Sequence, residues 1–192
     1  MRYITIIGDS HAENLKVGVA EFARLNNIDV KINLITYHGK CIYNVDYADI
    51  NTQDFSKDII LVHFGEVDIR RKLPKYNNAE ETAKKYIEKT LDHFKNNRVI
   101  FVQPAPQALD ELTYEFQSSE KEIYFLSERI KQQRIFNKTL ENYKGIEIIK
   151  IIDAIGIEIA TEDNVHDGCH LNRETVINLG GYIHNYIDKA VD

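Results

Sequence analysis

The apolar residues of this chain fall into two rhythms. Short runs without a polar face, Tyr3 to Ile7 and Ile59 to Phe64 with only His63 interrupting, have the pattern of parallel strands covered on both sides. Asp29 to Ile35 alternates well enough for a strand. Arg98 to Val102 makes a fourth, ended by Gln103-Pro104, and Ile146 to Ile152 a fifth. Between these runs the apolar positions recur at helical spacing, over Glu13 to Arg24, Ala79 to about Asn96, Ser118 or Ser119 to Tyr143, and Arg173 to Lys189. Asn77 or Asn78 is placed to cap the second of these helices, and Gly145 ends the third, whose candidate core positions include Ile123, Leu126, Ile130, Phe136 and Leu140. The pair Gly180-Gly181 is the weak point of the last helix by intrinsic propensity. Cys41 to Lys57 reads mostly as loop. Strands alternating with helices predict one α/β domain over residues 1–192, an open five-stranded parallel sheet between two helical layers.

In such a sheet ligands lie beyond the carboxyl ends of the strands, and several chemistry-bearing residues fall there. The first strand runs into Gly8-Asp9-Ser10-His11 and then directly into a helix. Ser10 thus sits at a helix N-terminus, where unpaired N–H groups and the dipole stabilise a developing oxyanion. A serine hydroxyl needs a base to become a nucleophile. The stretch His166-Asp167-Gly168-Cys169-His170 supplies one: Asp167 stands three residues before His170 on a turn that Gly168 makes easy. At that spacing the carboxylate can hold the Nδ1 proton and leave Nε2 to face Ser10.

These motifs resemble those of the SGNH hydrolases, the GDSL-like esterase and acyltransferase superfamily, over nearly the whole chain. Gly8-Asp9-Ser10 and Asp167 to His170 stand where that family has its N-terminal and C-terminal signatures, with Gly39 and Gly65-Glu66-Val67-Asp68 in order between them. The resemblance implies the SGNH-hydrolase, flavodoxin-like architecture and a triad of Ser10, Asp167 and His170. It also implies an oxyanion hole from Ser10, Gly39 and the residue at position 67. There the family usually has an asparagine; Val67 has no side-chain donor, and losing one such donor costs on the order of 10²–10³ in rate. The form Gly-Glu-Val-Asp-Ile-Arg also looks like a variant associated with bacterial surface polysaccharides. The implied activity is a serine esterase removing an acyl group, acetyl foremost, from a carbohydrate or small metabolite. The implied alternatives are O-acyl transfer to a sugar hydroxyl and a non-catalytic module binding a glycan or a protein. None requires a cofactor.

Composition narrows the partners. With 192 residues, 43% hydrophobic and 28% charged, the chain is an ordinary globular one, and no apolar run approaches a bilayer span. No basic leader or cleavage site precedes the first strand, so the expectation is a cytoplasmic protein. A net charge of −6, with Arg70-Arg71-Lys72 the one basic cluster, argues against nucleic acid. Two cysteines give no disulfide framework. His11, His38, His166, Cys41 and Cys169 also fall near the active edge, but their spacing fits no closed zinc pattern, and no metal is expected. Glu66, Asp68 and Arg70 read either as an ion-paired network pinning loops or as substrate contacts, Arg70 or Arg71 for an anion and Glu66 for sugar hydroxyls. His63 reads as a core histidine, His93 and His184 as helix surface residues.

Overall fold

The computed structural model describes residues 1–110, 112, 124–167 and 169–189. Numbered in chain order, the strands are β1 (Arg2–Gly8), β2 (Val30–Thr36), β3 (Ile59–His63), β4 (Arg98–Val102), β5 (Gln107–Ala108), β6 (Glu147–Ile149) and β7 (Ile159–Ala160). The α-helices are α1 (His11–Leu25), α2 (Glu66–Arg71), α3 (Leu73–Tyr76), α4 (Ala79–His93), α5 (Leu126–Asn142), α6 (Ile151–Ile155) and α7 (Arg173–Lys189). Five strands form one sheet in the order β2-β1-β3-β4-β6, all parallel, and β5 pairs with β7 in a separate two-stranded parallel sheet.

The period of two along each strand divides the core into two faces. On one side Ile7, Val62 and Phe101 pack with Ala83 and Ile87 of α4 and with Phe136 and Leu140 of α5. On the other, Ile4, Ile6, Leu61 and Ile100 pack with Leu15 and Val19 of α1 and with Leu179 and Ile183 of α7. The unbroken apolar runs are thus explained: each central strand needs an apolar side chain on both faces.

Several elements differ from the periodicity. The fifth strand of the sheet is only Glu147–Ile149, and the chain turns at Lys150 into α6, with Ile151 serving the α1/α7 side of the core. An apolar run alone cannot distinguish strand from buried helix, which is why the strand was expected to reach Ile152. Tyr124 and Phe125 are not helical, so α5 starts at Leu126; Ser118, Ser119 and Ile123 lie outside the described residues. Helix α2 has four charged residues in six and gives no apolar rhythm, and neither it nor α3 was expected. Among the described residues no helix is long and apolar enough to cross a membrane.

The glycine pair in α7 is the site of closest approach to α1, and its conservation of space outweighs its low propensity. A Cβ at Gly180 would stand 2.3 Å from the Gly18 carbonyl oxygen, and one at Gly18 would stand 1.9 Å from the Val176 oxygen. The two helices therefore meet backbone to backbone. His184 lies in this contact, 1% exposed with Nε2 3.0 Å from the Val19 carbonyl, and is not the surface residue its helical position suggested. At the other end Asn14 Nδ2 donates to the Leu171 carbonyl at 2.9 Å. Helix propensity alone makes Gly180→Ala stabilising by about 1 kcal/mol. The contact requires the opposite, a loss of about 1–3 kcal/mol from overpacking, read as a lowered thermal midpoint. A variant as stable as the parent would refute the close approach.

Candidate active site

Gly8 ends β1 beside β2, its carbonyl accepting the Tyr37 N–H at 2.8 Å. Asp9 then caps the first turn of α1, Oδ1 accepting the His11 N–H at 3.0 Å. Because Asp9 does this, the Ser10 side chain makes no capping bond and its hydroxyl is left for another partner. That partner is His170, whose Nε2 lies 2.9 Å from Ser10 Oγ. The imidazole is oriented from behind by Asp167, Oδ2 to Nδ1 at 2.7 Å. Asp167 Oδ1 accepts the N–H groups of Cys169 at 3.1 Å and His170 at 2.7 Å. The side chain thus folds the turn that carries its own partner, while Gly168 lies outside the described residues. The Val165–Leu171 bridge and the His166 N–H to His170 carbonyl bond, 3.1 Å, close this loop.

Protonation states follow from the surroundings. Burial opposes the charge of Asp167, but the amide and imidazole donors outweigh it and hold the carboxyl below the usual range. Burial, and next the His11 ring, hold His170 below the ordinary imidazole value against the pull of Asp167. The arrangement is a hydroxyl, a neutral base and an ionised carboxylate in line, able to take a proton from Ser10 as it attacks an electrophile.

Beneath this line lies a buried layer of charge. Glu66 and Arg70, both 5% exposed, lie one turn apart on α2, with Oε2 3.2 Å from the Arg70 guanidinium. The same Oε2 is 3.1 Å from His11 Nε2. Arg70 also donates to Cys169 Sγ at 2.9 Å, and that sulfur is 3.5 Å from His11 Nε2. Burial would raise the Glu66 pKa, yet Arg70 and His11 bring it down to about 2. Burial likewise opposes a charged His11, but Glu66 and Cys169 keep its pKa well above the imidazole value. His63 is pushed down to about 4 by burial and then by His11. Two more carboxyls nearby are raised by burial, Asp9 to about 6 and Asp68 to about 7. Asp68 accepts the Ile42 N–H at 3.0 Å and so fixes the loop after β2.

Glu66, Asp68 and Arg70 are therefore turned inward among protein partners, the arrangement expected of an ion-paired network pinning loops. Val67 is 1% exposed in the first turn of α2. Gly39 is exposed in a turn with φ +62°, beside α1 through the His38–Glu13 ion pair at 3.1 Å. Gly65 begins α2 at φ +113°, where Pro104 and Phe136 leave no room for a Cβ. Cys41 and Cys169 are buried free thiols. Of the residues considered for a metal, His11 and Cys169, together with His170, bring their donor atoms within 4.8 Å of one another among the described residues. His11 is paired with Glu66, Cys169 accepts from Arg70, and His170 meets Ser10. The importance of His11 and Cys169 was missed in the sequence. The available signal was position, one directly after the serine and the other directly before the histidine. A cavity of about 630 Å³ between α5 and α6, bordered by Gln103, Gln133 and Glu158, does not include Ser10 or His170.

No protein-family model and no curated protein matches the sequence. Solved structures do. One is the lipase/acylhydrolase from Enterococcus faecalis, 16% identical, with a TM-score of 0.70 over 99% of this chain and 97% of that one. A carbohydrate acetylesterase from Sinorhizobium meliloti is 14% identical, with a TM-score of 0.63 over 99% of this chain and 100% of that one. The periplasmic domain of a lipopolysaccharide acetyltransferase from Salmonella ser. Paratyphi A is 19% identical, with a TM-score of 0.63 over 97% of this chain and 83% of that one. These likenesses extend over nearly the whole chain, which has the α/β fold of the SGNH/GDSL-type lipases/acylhydrolases and acetyl esterases, with a five-stranded parallel sheet flanked by helices.

Proposed function

We propose that the protein is a serine esterase that removes an acyl group, acetyl foremost, from a carbohydrate or small metabolite. The observation that carries this reading is the unbroken line from Ser10 Oγ through His170 to Asp167. Ser10 attacks the ester carbonyl while His170 Nε2 takes its proton and Asp167 stabilises the imidazolium. His170 returns that proton to the departing alkoxide, and water, activated by the same imidazole, releases the acid from Ser10. The N–H groups of Ser10 and Gly39 bind the oxyanion in this scheme. Carbohydrate and acetyl preferences rest on the names of the similar acetylesterase and acetyltransferase. The second name also favours a second reading, in which a sugar hydroxyl replaces water and receives the acyl group; both use one triad.

A small fluorophosphonate should label Ser10 and leave no adduct on Ser10→Ala, as read by intact mass. Its rate should fall in acid. With the His170 pKa below about 6.5, the base is neutral at pH 7 and is lost only as pH drops through that lowered value. The absence of any adduct, or a rate unchanged between about pH 8 and 4, would count against the triad and favour a non-catalytic binding module.

The burial of Val67 decides what restoring the family's asparagine does. Val67→Asn is expected to lose roughly 1–3 kcal/mol of stability, because the amide enters a closed space, with no rise in kcat. Measuring the thermal midpoint and ester hydrolysis on one preparation tests this, since a kcat gain approaching 10² would instead place position 67 at the oxyanion.

A further inference from the structure

We propose that His11, held by Glu66 behind the catalytic imidazole, is a positioning residue that sets the proton affinity of His170 and steadies its ring. The inference rests on reading Ser10, His170 and Asp167 as a triad, and adds to it a residue whose neighbours in sequence and space are both catalytic. The rings of His11 and His170 lie with centroids 4.5 Å apart and planes tilted by 33°. At that distance a cationic His11 opposes a proton on His170 without hydrogen-bonding to it. The other side of His11 is fixed: Nε2 faces Glu66 Oε2 at 3.1 Å and Cys169 Sγ at 3.5 Å, and its own N–H is held by Asp9.

The titratable and charged groups around the pair come from every element that packs on it. The β1–α1 junction supplies Asp9, β3 supplies His63, and α2 supplies Glu66 and Arg70. The loop before α7 supplies Cys169, Asp167 and His166, the last with its ring 6.0 Å from that of His170. Asp167 favours the imidazolium needed in the transition state, whereas His11 disfavours it in the resting enzyme. Glu66 is the anion that keeps His11 in place, and Arg70 joins that anion to Cys169 on the loop bearing His170. One buried cluster thereby ties together the three segments that carry the chemistry: the start of α1, α2, and the loop before α7.

His11→Gln removes the cation and keeps a polar side chain. The His170 midpoint should rise by about one pH unit, moving the acid limb of kcat/KM for p-nitrophenyl acetate toward neutrality. The loss should therefore reach about tenfold only well below the parent midpoint, shrink as pH rises through it and be slight near pH 8, with KM little changed. A purely structural role would instead lower activity equally at all pH values. The decisive measurement needs no catalysis. Imidazole resonances are titrated by nuclear magnetic resonance in Ser10→Ala and in Ser10→Ala/His11→Gln. An equal His170 midpoint in the two proteins overturns the proposal, even if no ester is ever found to be a substrate. Should the double variant fail to fold, Ser10→Ala alone decides. His11 must remain protonated across the range in which His170 titrates, and a neutral His11 ring there overturns the proposal as well.

Discussion

The contact between α1 and α7 governs the rest of the molecule. With glycine at positions 18 and 180, the two helices approach until backbone atoms touch, an arrangement any side chain would prevent. Ser10 begins one of these helices and His170 lies just before the other, so their pairing across 160 positions of sequence follows from how closely the helices pack. A catalytic hydrogen bond tolerates little displacement, and packed backbones deform less than loops. The apolar layer behind the helices, Leu15, Val19, Leu179 and Ile183 against Ile4 and Ile6, fixes the pair to the sheet.

The second constraint is electrostatic. Burying Glu66, Arg70 and His11 costs solvation for each, and only their mutual proximity offsets it. Removing one partner would leave an uncompensated charge in the interior, so the cluster acts as a unit. Its consequence is geometric, because α2, which carries Glu66 and Arg70, and the start of α1, which carries His11, are segments that no stretch of regular secondary structure connects directly. It is also electrical, because a cation close behind His170 and a carboxylate beside it act on the same proton from opposite directions.

Similarity of fold assigns no chemistry by itself, since one architecture carries many activities. The weight of the functional reading falls on atoms: the 2.9 Å and 2.7 Å contacts of His170, and Asp9 capping the helix in place of Ser10. Val67 is buried in the first turn of α2 and supplies no side-chain donor. Backbone donors at a helix start are the remaining resource for an oxyanion, and Ser10 occupies such a start.

The alternation of apolar runs and helical spacing was enough to determine the parallel sheet, its helical layers and the bounds of β4 and α7. Gly8-Asp9-Ser10 and Asp167 with His170 were legible as local motifs, because the capping of α1 by Asp9 and the Asp167–His170 contact each join residues a few positions apart. Local period says which residues are apolar and which face they share. It cannot say which faces meet, and the surprises around the site were of that kind. Gly180 looked weak until Gly18 stood against it, and His184 looked exposed until α1 covered it. Glu66 and Arg70 read as loop-pinning ion pairs or as substrate contacts, and only the packing of segments 99 and 158 residues apart, Arg70 on Cys169 and His11 on Cys169, placed them in an interior cluster. Short-range chemistry thus pointed to Ser10 and His170, whereas tertiary packing decided what lies behind them, because the desolvation and pairing of a charge depend on distant elements.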